Sequence, residues 1–415
     1  MKKPRAEAVD NKNISLPADA ARRLGLAAGA RLEIAIKRGR VEILPDIHSL
    51  ARVYIEPTSR CNISCKACVR QAEGEPQGDM DLGLFRKLTS ELKRFPFIES
   101  VMLGGLGEPT VHPHILKMIG ELKAIGLSVE MVTNGTLLDE PMLKALIAKR
   151  LDRLWVSLDG ADEAVFEASR PGAKFSGVMA ALRKLRELNR TEITPVKLGL
   201  AYVVTKKNIA GLRKIGRVAR KVGADRIIVS NVIPYTPEME KEMVCSQALI
   251  AGNFAEPVDG QTTIDLPRMD VSLYTRNTLV GLMAGSESLS LMGNPITANA
   301  DECRFVRERC VFVRWDGQVA PCMGLMRDHT VYFHGGTRRN KRHIVGDLRL
   351  RGLWDIWNDA GYADFREKVS AFDFSPCHAC GGCGFSDDNS EDCGGNKFPT
   401  ACGGCLWAQG IIQCP

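Results

Sequence analysis

The chain has 415 residues, with 56 lysines and arginines against 49 acidic residues and a hydrophobic share of 45%. That length holds two or three domains and that composition an ordinary core, while a net charge of +7 is too diffuse to argue for nucleic acid. No run approaches eighteen apolar residues, and MKKPRAEAVDNKN lacks the hydrophobic stretch of a signal peptide, so the expectation is a cytoplasmic protein without a membrane segment.

Residues 1–46 differ in character from the rest. NISLP reads as a short strand, ADAARRLGL as a helix closed by the turn at Ala28–Ala30, and RLEIAIKRGRVEILP as two strands joined at Lys37–Gly39. The pattern resembles the swapped-hairpin (AbrB-type) modules of transition-state regulators and antitoxins. A unit this small buries little surface alone, which implies a partner or a second copy. DNA contact and peptide or protein docking both stay open for it.

The next stretch, VYIEPTSRCNISCKACVR, sets Cys61, Cys65 and Cys68 at a C-x3-C-x2-C spacing on the loop after an apolar strand. Fourteen cysteines without an export signal argue for metal rather than disulfides, because the cytosol keeps thiols reduced. Thiolates favour iron-sulfur clusters, zinc or copper(I), and a closed site needs four ligands. His48, His112 and His114 do not fall at a spacing that completes a compact zinc site. Three thiolates on a cubane leave one iron open, which is a catalytic arrangement. The alternative, that positions i, i+4 and i+7 form the buried stripe of a helix, is disfavoured by Pro57, Thr58, Ser59 and Asn62 at its start.

This triad resembles the signature of the radical S-adenosylmethionine (SAM) enzymes. The resemblance implies a [4Fe-4S] cluster whose open iron is chelated by SAM, and reductive cleavage of SAM to a 5′-deoxyadenosyl radical that abstracts hydrogen from the substrate. Ala67 stands where that family often has an aromatic residue.

From 51 to 235 strand-like and helical runs alternate. The strands are RVYIE, SVMLGG, SVEMVT, RLWVSLD, KLGLAYVV and RIIVSNV, separated by amphipathic stretches such as FRKLTSELKRF. Such alternation predicts a parallel sheet with crossover helices, an α/β fold. Six units fit the partial (β/α)6 barrel that the resemblance implies, with chemistry at the C-terminal strand ends. There lie Gly104, Gly105, Gly107 and Glu108 of GGLGEP, whose glycines admit close backbone approach and whose carboxylate can accept from the SAM ammonium. The resemblance further implies that Asn134, Ser157 and Asp159 line the SAM pocket, that Arg170 meets the SAM carboxylate, and that the segment Val204 to Asn208 contacts adenine through backbone.

Residues 236–300 form a bridge in which Cys245 reads as a buried thiol. Beyond 301 the cysteines cluster. Cys303 and Cys310 precede FVRWDGQVAPC, where Asp316-Gly317 predicts a hairpin ending at Cys322. IVGDLRLRGLWDIWND predicts a strand and a helix, and Cys377, Cys380, Cys383, Cys393, Cys402, Cys405 and Cys414 follow. The layout resembles the SPASM extension of radical SAM maturases, which implies two auxiliary [4Fe-4S] clusters. Carried over, Cys303, Cys310 and Cys322 start the first cluster, and Cys377, Cys380, Cys402, Cys405 and Cys414 supply the second together with the last ligand of the first, the division among these five staying open, with Cys383 and Cys393 as spares. The basic run Arg338 to His343 reads as a solvated charged loop, with a pterin phosphate as the functional alternative that its arginines suit.

Across nearly the full length the chain resembles the maturases of tungsten-cofactor oxidoreductases related to the aldehyde:ferredoxin oxidoreductases, through EPTSRCNISCKACVR, FVRWDGQVAPCMG, FDFSPCHACGGC and CGGCLWAQGIIQCP. That implies action on a tungsten or molybdenum pterin oxidoreductase or on its cofactor, with a ferredoxin or flavodoxin as electron donor. A peptide-modifying maturase that makes a crosslink or thioether, and a DNA-binding iron-sulfur sensor, are the alternatives.

Overall fold

A computed structural model describes residues 46–245 apart from 73 and 75, residues 263–267, 269, 272–283 and 288–291, and residues 303–415 apart from 334, 376 and 378–382. Of residues 1–45 it describes four strands. Glu7–Ala8 pairs with Ile14–Ser15, and Leu32–Lys37 pairs antiparallel with Arg40–Pro45 in the register of a tight hairpin. The helix expected at ADAARRLGL lies outside the described residues, as does Cys380.

All six expected strands are present: β1 Arg52–Ile55, β2 Ser100–Leu103, β3 Ser128–Thr133, β4 Arg153–Ser157, β5 Lys197–Val204 and β6 Arg226–Asn231. Each pairs in parallel with the next. Two further strands, β7 Thr263–Leu266 and β8 Ser288–Leu291, extend the parallel run beyond β6, with the helix Arg276–Met283 between them. The region read from sequence as a bridge thus adds to the sheet.

The other edge is closed from the C-terminal half. Strand β9, Cys310–Val313, lies parallel to β1, with Phe312 beside Tyr54 and the two rings stacked at 4.3 Å. It turns at Gly317, whose φ of 87° is open to glycine at little cost, and returns antiparallel as β10, Gln318–Ala320. A hairpin of β11, His329–Phe333, and β12, Gly336–Asn340, follows, and then β13, Gly346–Asp347, which pairs with β10.

The crossover helices obey the periodicity that predicts them. Helix Leu82–Leu92 starts at Asp81, whose carboxylate accepts from the backbone N–H of Gly83 and Leu84, and it buries Phe85, Leu88, Thr89 and Leu92 along one face. Asp139 and Asp162 cap two later helices in the same way. Helix Leu212–Val222 carries the basic residues outward, buries Ile215, Val218, Ala219 and Val222, and ends at Gly223 in the left-handed conformation. This packing leaves the C-terminal ends of β1 to β5 free to build one site.

Candidate active site

The cysteine loop is fixed from two sides. The Ser64 N–H donates to the Pro171 carbonyl at 3.1 Å and the Lys66 N–H to that of Ser169 at 3.2 Å, so the Ser169–Pro171 segment backs the loop. On the other side the Glu108 N–H donates to the Arg60 carbonyl at 2.8 Å. Gly107 is required there: a Cβ would collide with the Thr58 carbonyl and stand 2.7 Å from that of Arg60.

Cys61, Cys65 and Cys68 border a cavity of about 250 Å³ at the strand ends. Gly105, Gly107, Glu108, Asn134, Ser157, Asp159 and Arg170 border it too, and Gly104 stands one residue behind, against Val132. Most of the residues that sequence singled out near the first cluster are thus gathered here, while Gly104 and the segment Val204 to Asn208 do not border the cavity, and the arrangement differs in one respect from a set of free donors. Glu108 is 2% exposed and already braces the site: Oε1 accepts from the Thr110 N–H and hydroxyl and from the Thr133 hydroxyl at 2.7 Å, while Oε2 accepts the Asn134 N–H at 2.6 Å. Its remaining accepting capacity is on Oε2, toward β3.

Asp159 and Arg170 form a buried ion pair, Nε to Oδ2 2.7 Å, and the Asp159 Oδ1 accepts the Val203 N–H at 2.8 Å. Arg170 Nη1 lies 3.7 Å from the Cys65 sulfur, and Asn134 Nδ2 lies 3.8 Å from that of Cys61. Asn208, at the end of the β5 connection, donates to the Asp159 and Val203 carbonyls.

The thiols suit a polynuclear metal group. Burial pushes the Cys65 thiol up to about 11 against the opposing pull of Arg170, and burial likewise raises Cys68. Thiols raised in this way, as Cys65 and Cys68 are, give up their protons when a cation joins them, which is the ordinary behaviour of metal ligands. Among the described residues no three histidine, cysteine or carboxylate side chains converge on the position of a single ion. The cysteines instead rim a cavity, and a cubane has its ligands spread around its corners.

Half of the cavity wall was not legible in the sequence. Behind that wall, against Gly105, stands Glu56, the residue after β1, which is 1% exposed; burial pushes its carboxyl up, while Arg327 and the Leu106 N–H, donated at 3.0 Å, pull it down. Arg327, Met323, Met326 and His329 come from the C-terminal half and Tyr235 from beyond β6. His329 is buried, donates from Nδ1 to the Arg327 carbonyl at 3.1 Å and packs edge-on to Tyr235. A charged residue directly after a buried strand was a signal for Glu56; no local pattern marks the others.

A second, smaller cavity of about 60 Å³ is bordered by Cys303, Cys322, Cys402 and Cys405, with His329 as a wall shared with the first. Cys402 and Cys322 are each raised by burial and by the neighbouring thiols of this set. Cys310 sits elsewhere, raised by burial and influenced by Glu308, Arg52, Arg304 and Cys414. Cys377 is buried, Cys383 and Cys393 are exposed, and Cys393 donates to the Ser375 hydroxyl. Cys245 is buried among apolar side chains. The basic run does not converge on one point: Arg338 turns inward, Lys341 pairs with Asp388, Arg342 with Asp328, and His343 stacks on Phe365.

Residues 55–214 match the model of the radical SAM superfamily and residues 303–384 that of the SPASM iron-sulfur cluster-binding domain. The chain is also 32% identical over 368 residues to the tungsten-containing aldehyde ferredoxin oxidoreductase cofactor-modifying protein of Pyrococcus furiosus, covering 88% of this chain and 96% of that one. This chain belongs to the radical SAM family, with a SPASM domain, and to the branch that holds the Pyrococcus protein. Its radical SAM domain implies a [4Fe-4S] cluster with SAM, and its SPASM domain implies iron-sulfur binding.

The mycofactocin maturase MftC of Mycobacterium tuberculosis is 24% identical to this radical SAM chain, covering 83% of it and 78% of MftC. Among solved structures, Streptococcus suis SuiB bound to the precursor peptide SuiA superposes with a TM-score of 0.54 at 16% identity, covering 80% and 70% of the two chains. Native anSMEcpe with bound AdoMet gives 0.52 at 16%, covering 80% and 86%. These neighbours carry the same mixed α/β fold. The radical SAM domain and the likeness to the Pyrococcus protein make this chain a SAM-dependent radical enzyme. No helix among the described residues is long and apolar enough to cross a membrane.

Proposed function

We propose that this radical SAM enzyme is a maturase that modifies a tungsten-type oxidoreductase or its pterin cofactor. The observation that carries the reading is the likeness to the Pyrococcus cofactor-modifying protein, which spans 88% of this chain and 96% of that one.

Cys61, Cys65 and Cys68 would hold the cluster, and Glu108, Asn134, Ser157, Asp159 and Arg170 would receive SAM. The bound pair supplies reductive cleavage of SAM and a carbon radical able to take hydrogen from a substrate. The chain's own part is positioning and exclusion of water. The Asp159–Arg170 pair presents a fixed cation beside the cavity, and Glu108 locks the end of β3 against the cysteine loop. Met323, Met326 and Tyr235 cover the opposite side with largely apolar surface, which keeps solvent from a reactive intermediate. A ferredoxin or flavodoxin is the fitting electron donor, and two auxiliary clusters in the C-terminal cysteines complete the set. The N-terminal hairpin is read as part of a docking unit for the protein partner.

A peptide-modifying maturase is the second reading, favoured by the likeness to the mycofactocin maturase over 83% of the chain. Mass spectrometry of a tungsten-type oxidoreductase co-expressed with and without this protein tests the first. A mass change in the protein or its extracted pterin, dependent on this enzyme, is the expected result. No change there, together with a mass change in a short precursor peptide, replaces it by the second.

A further inference from the structure

We propose that Arg338 is a buried fixed cation that raises the reduction potential of the cluster held by Cys402 and Cys405. The inference rests on the reading of these cysteines as iron-sulfur ligands.

Arg338 lies on β12 at the start of a run that looks, in sequence, like a solvated basic loop. Its side chain is instead 8% exposed and borders the cavity of Cys303, Cys322, Cys402 and Cys405. The guanidinium lies against the backbone of the CGGC segment: a Cβ on Gly404 would stand 2.5 Å from Cζ and 2.8 Å from both terminal nitrogens. Glycine between the two cysteines is what lets a cation approach so near.

The hydrogen bonding leaves that charge unsatisfied. Nη1 donates to the Ser386 carbonyl at 2.9 Å, yet Nε is buried and without a partner. Its neighbours behave differently, since Lys341 and Arg342 each face an aspartate. A buried guanidinium without a carboxylate is unfavourable unless an anion stands beside it. Four thiolates on a four-iron cluster carry net negative charge, and they would occupy the cavity on which Arg338 borders. Reduction adds one negative charge to the cluster, so a fixed positive charge in a low-dielectric site favours the reduced form.

The test uses the full chain with Cys61, Cys65 and Cys68 all replaced by alanine, so that the remaining iron-sulfur signal comes from the C-terminal half. Anaerobic redox titration followed by electron paramagnetic resonance then reads the potential. Arg338→Gln, which keeps donors but loses the charge, is expected to disfavour reduction at least tenfold, about 59 mV for one electron. Arg338→Lys, which keeps the charge, is expected to shift less than half as far. A smaller effect of the glutamine, or an equal effect of the lysine, overturns the proposal. If the glutamine variant loses its iron, retention at the parent potential in the lysine variant supports it, and loss in both makes Arg338 a scaffold and overturns it. A parent protein without any iron-sulfur spectrum overturns the ligand reading and the proposal together, whereas an unchanged potential overturns the proposal alone.

Discussion

Arg327 reaches from the C-terminal half to the end of β1, where its Nη2 stands 3.0 and 3.1 Å from the two carboxylate oxygens of Glu56. Both side chains are under 10% exposed. The pair therefore joins the SPASM side of the molecule to the strand that carries the cysteine loop, with Arg327 on the cavity wall.

Removing one partner strands the other charge. Arg327→Met is expected to cost about 3–5 kcal/mol. The double change Glu56→Leu with Arg327→Met is expected to cost less than the sum of the singles by about 1–3 kcal/mol. Denaturant unfolding of the four proteins checks this, and additive costs would mean the two residues act independently.

Gly107 supports the cysteine loop from below. Gly107→Ala forces the loop away from the Thr58 and Arg60 carbonyls, an overpacking cost of about 1–3 kcal/mol. Formation of 5′-deoxyadenosine should fall at least about fivefold while circular dichroism stays that of the parent. Parent rates in the alanine variant would show that the loop does not rest on this contact.

The Asp159–Arg170 pair is expected to matter more for SAM than for folding. Asp159→Asn keeps the oxygen that accepts the Val203 N–H but releases Arg170. A charge-assisted bond is worth about 1.5–3 kcal/mol, so SAM affinity measured by equilibrium dialysis should weaken about 10–100-fold. Unchanged affinity would place SAM elsewhere.

His112 makes stability depend on pH. Its Nδ1 accepts the His114 N–H at 3.1 Å, so Nε2 carries the proton donated to the Met80 carbonyl and the ring is neutral. Burial lowers its pKa. Because the unfolded chain binds the proton more readily, the stability contributed is complete above the unfolded value of about 6.5 and is lost as pH falls through the lowered folded value. His329 and His343, also lowered by burial, act in the same direction. Melting temperatures of the metal-free protein should drop from pH 7.5 to 5.5, and His112→Asn should drop less; an equal drop would exclude His112 as a contributor.

The strands were legible because a parallel sheet buried on both faces writes itself as short apolar runs, and the triad because its spacing is rare. Longer-range pairings leave no such trace. Order along the chain left the division of the late cysteines open; Cys303 and Cys322 share a cavity with Cys402 and Cys405, and the Ser386–Ser390 segment lies along β12. The inward turn of Arg338 was hidden for the same reason: a basic run looks alike whether its first residue faces water or a glycine. Strands β7 and β8 escaped notice because TIDL and SLSL are too short to stand out from mixed surroundings.

The pairing of β1 with β9 has a consequence for biosynthesis. The strand that carries the metal-binding loop leaves the ribosome long before the one that seals its flank; at about 5–20 residues per second the wait is on the order of ten seconds or more. Through that interval a nascent chain presents three bare thiols and an open hydrogen-bonding edge, which is sealed only once translation has passed Val313.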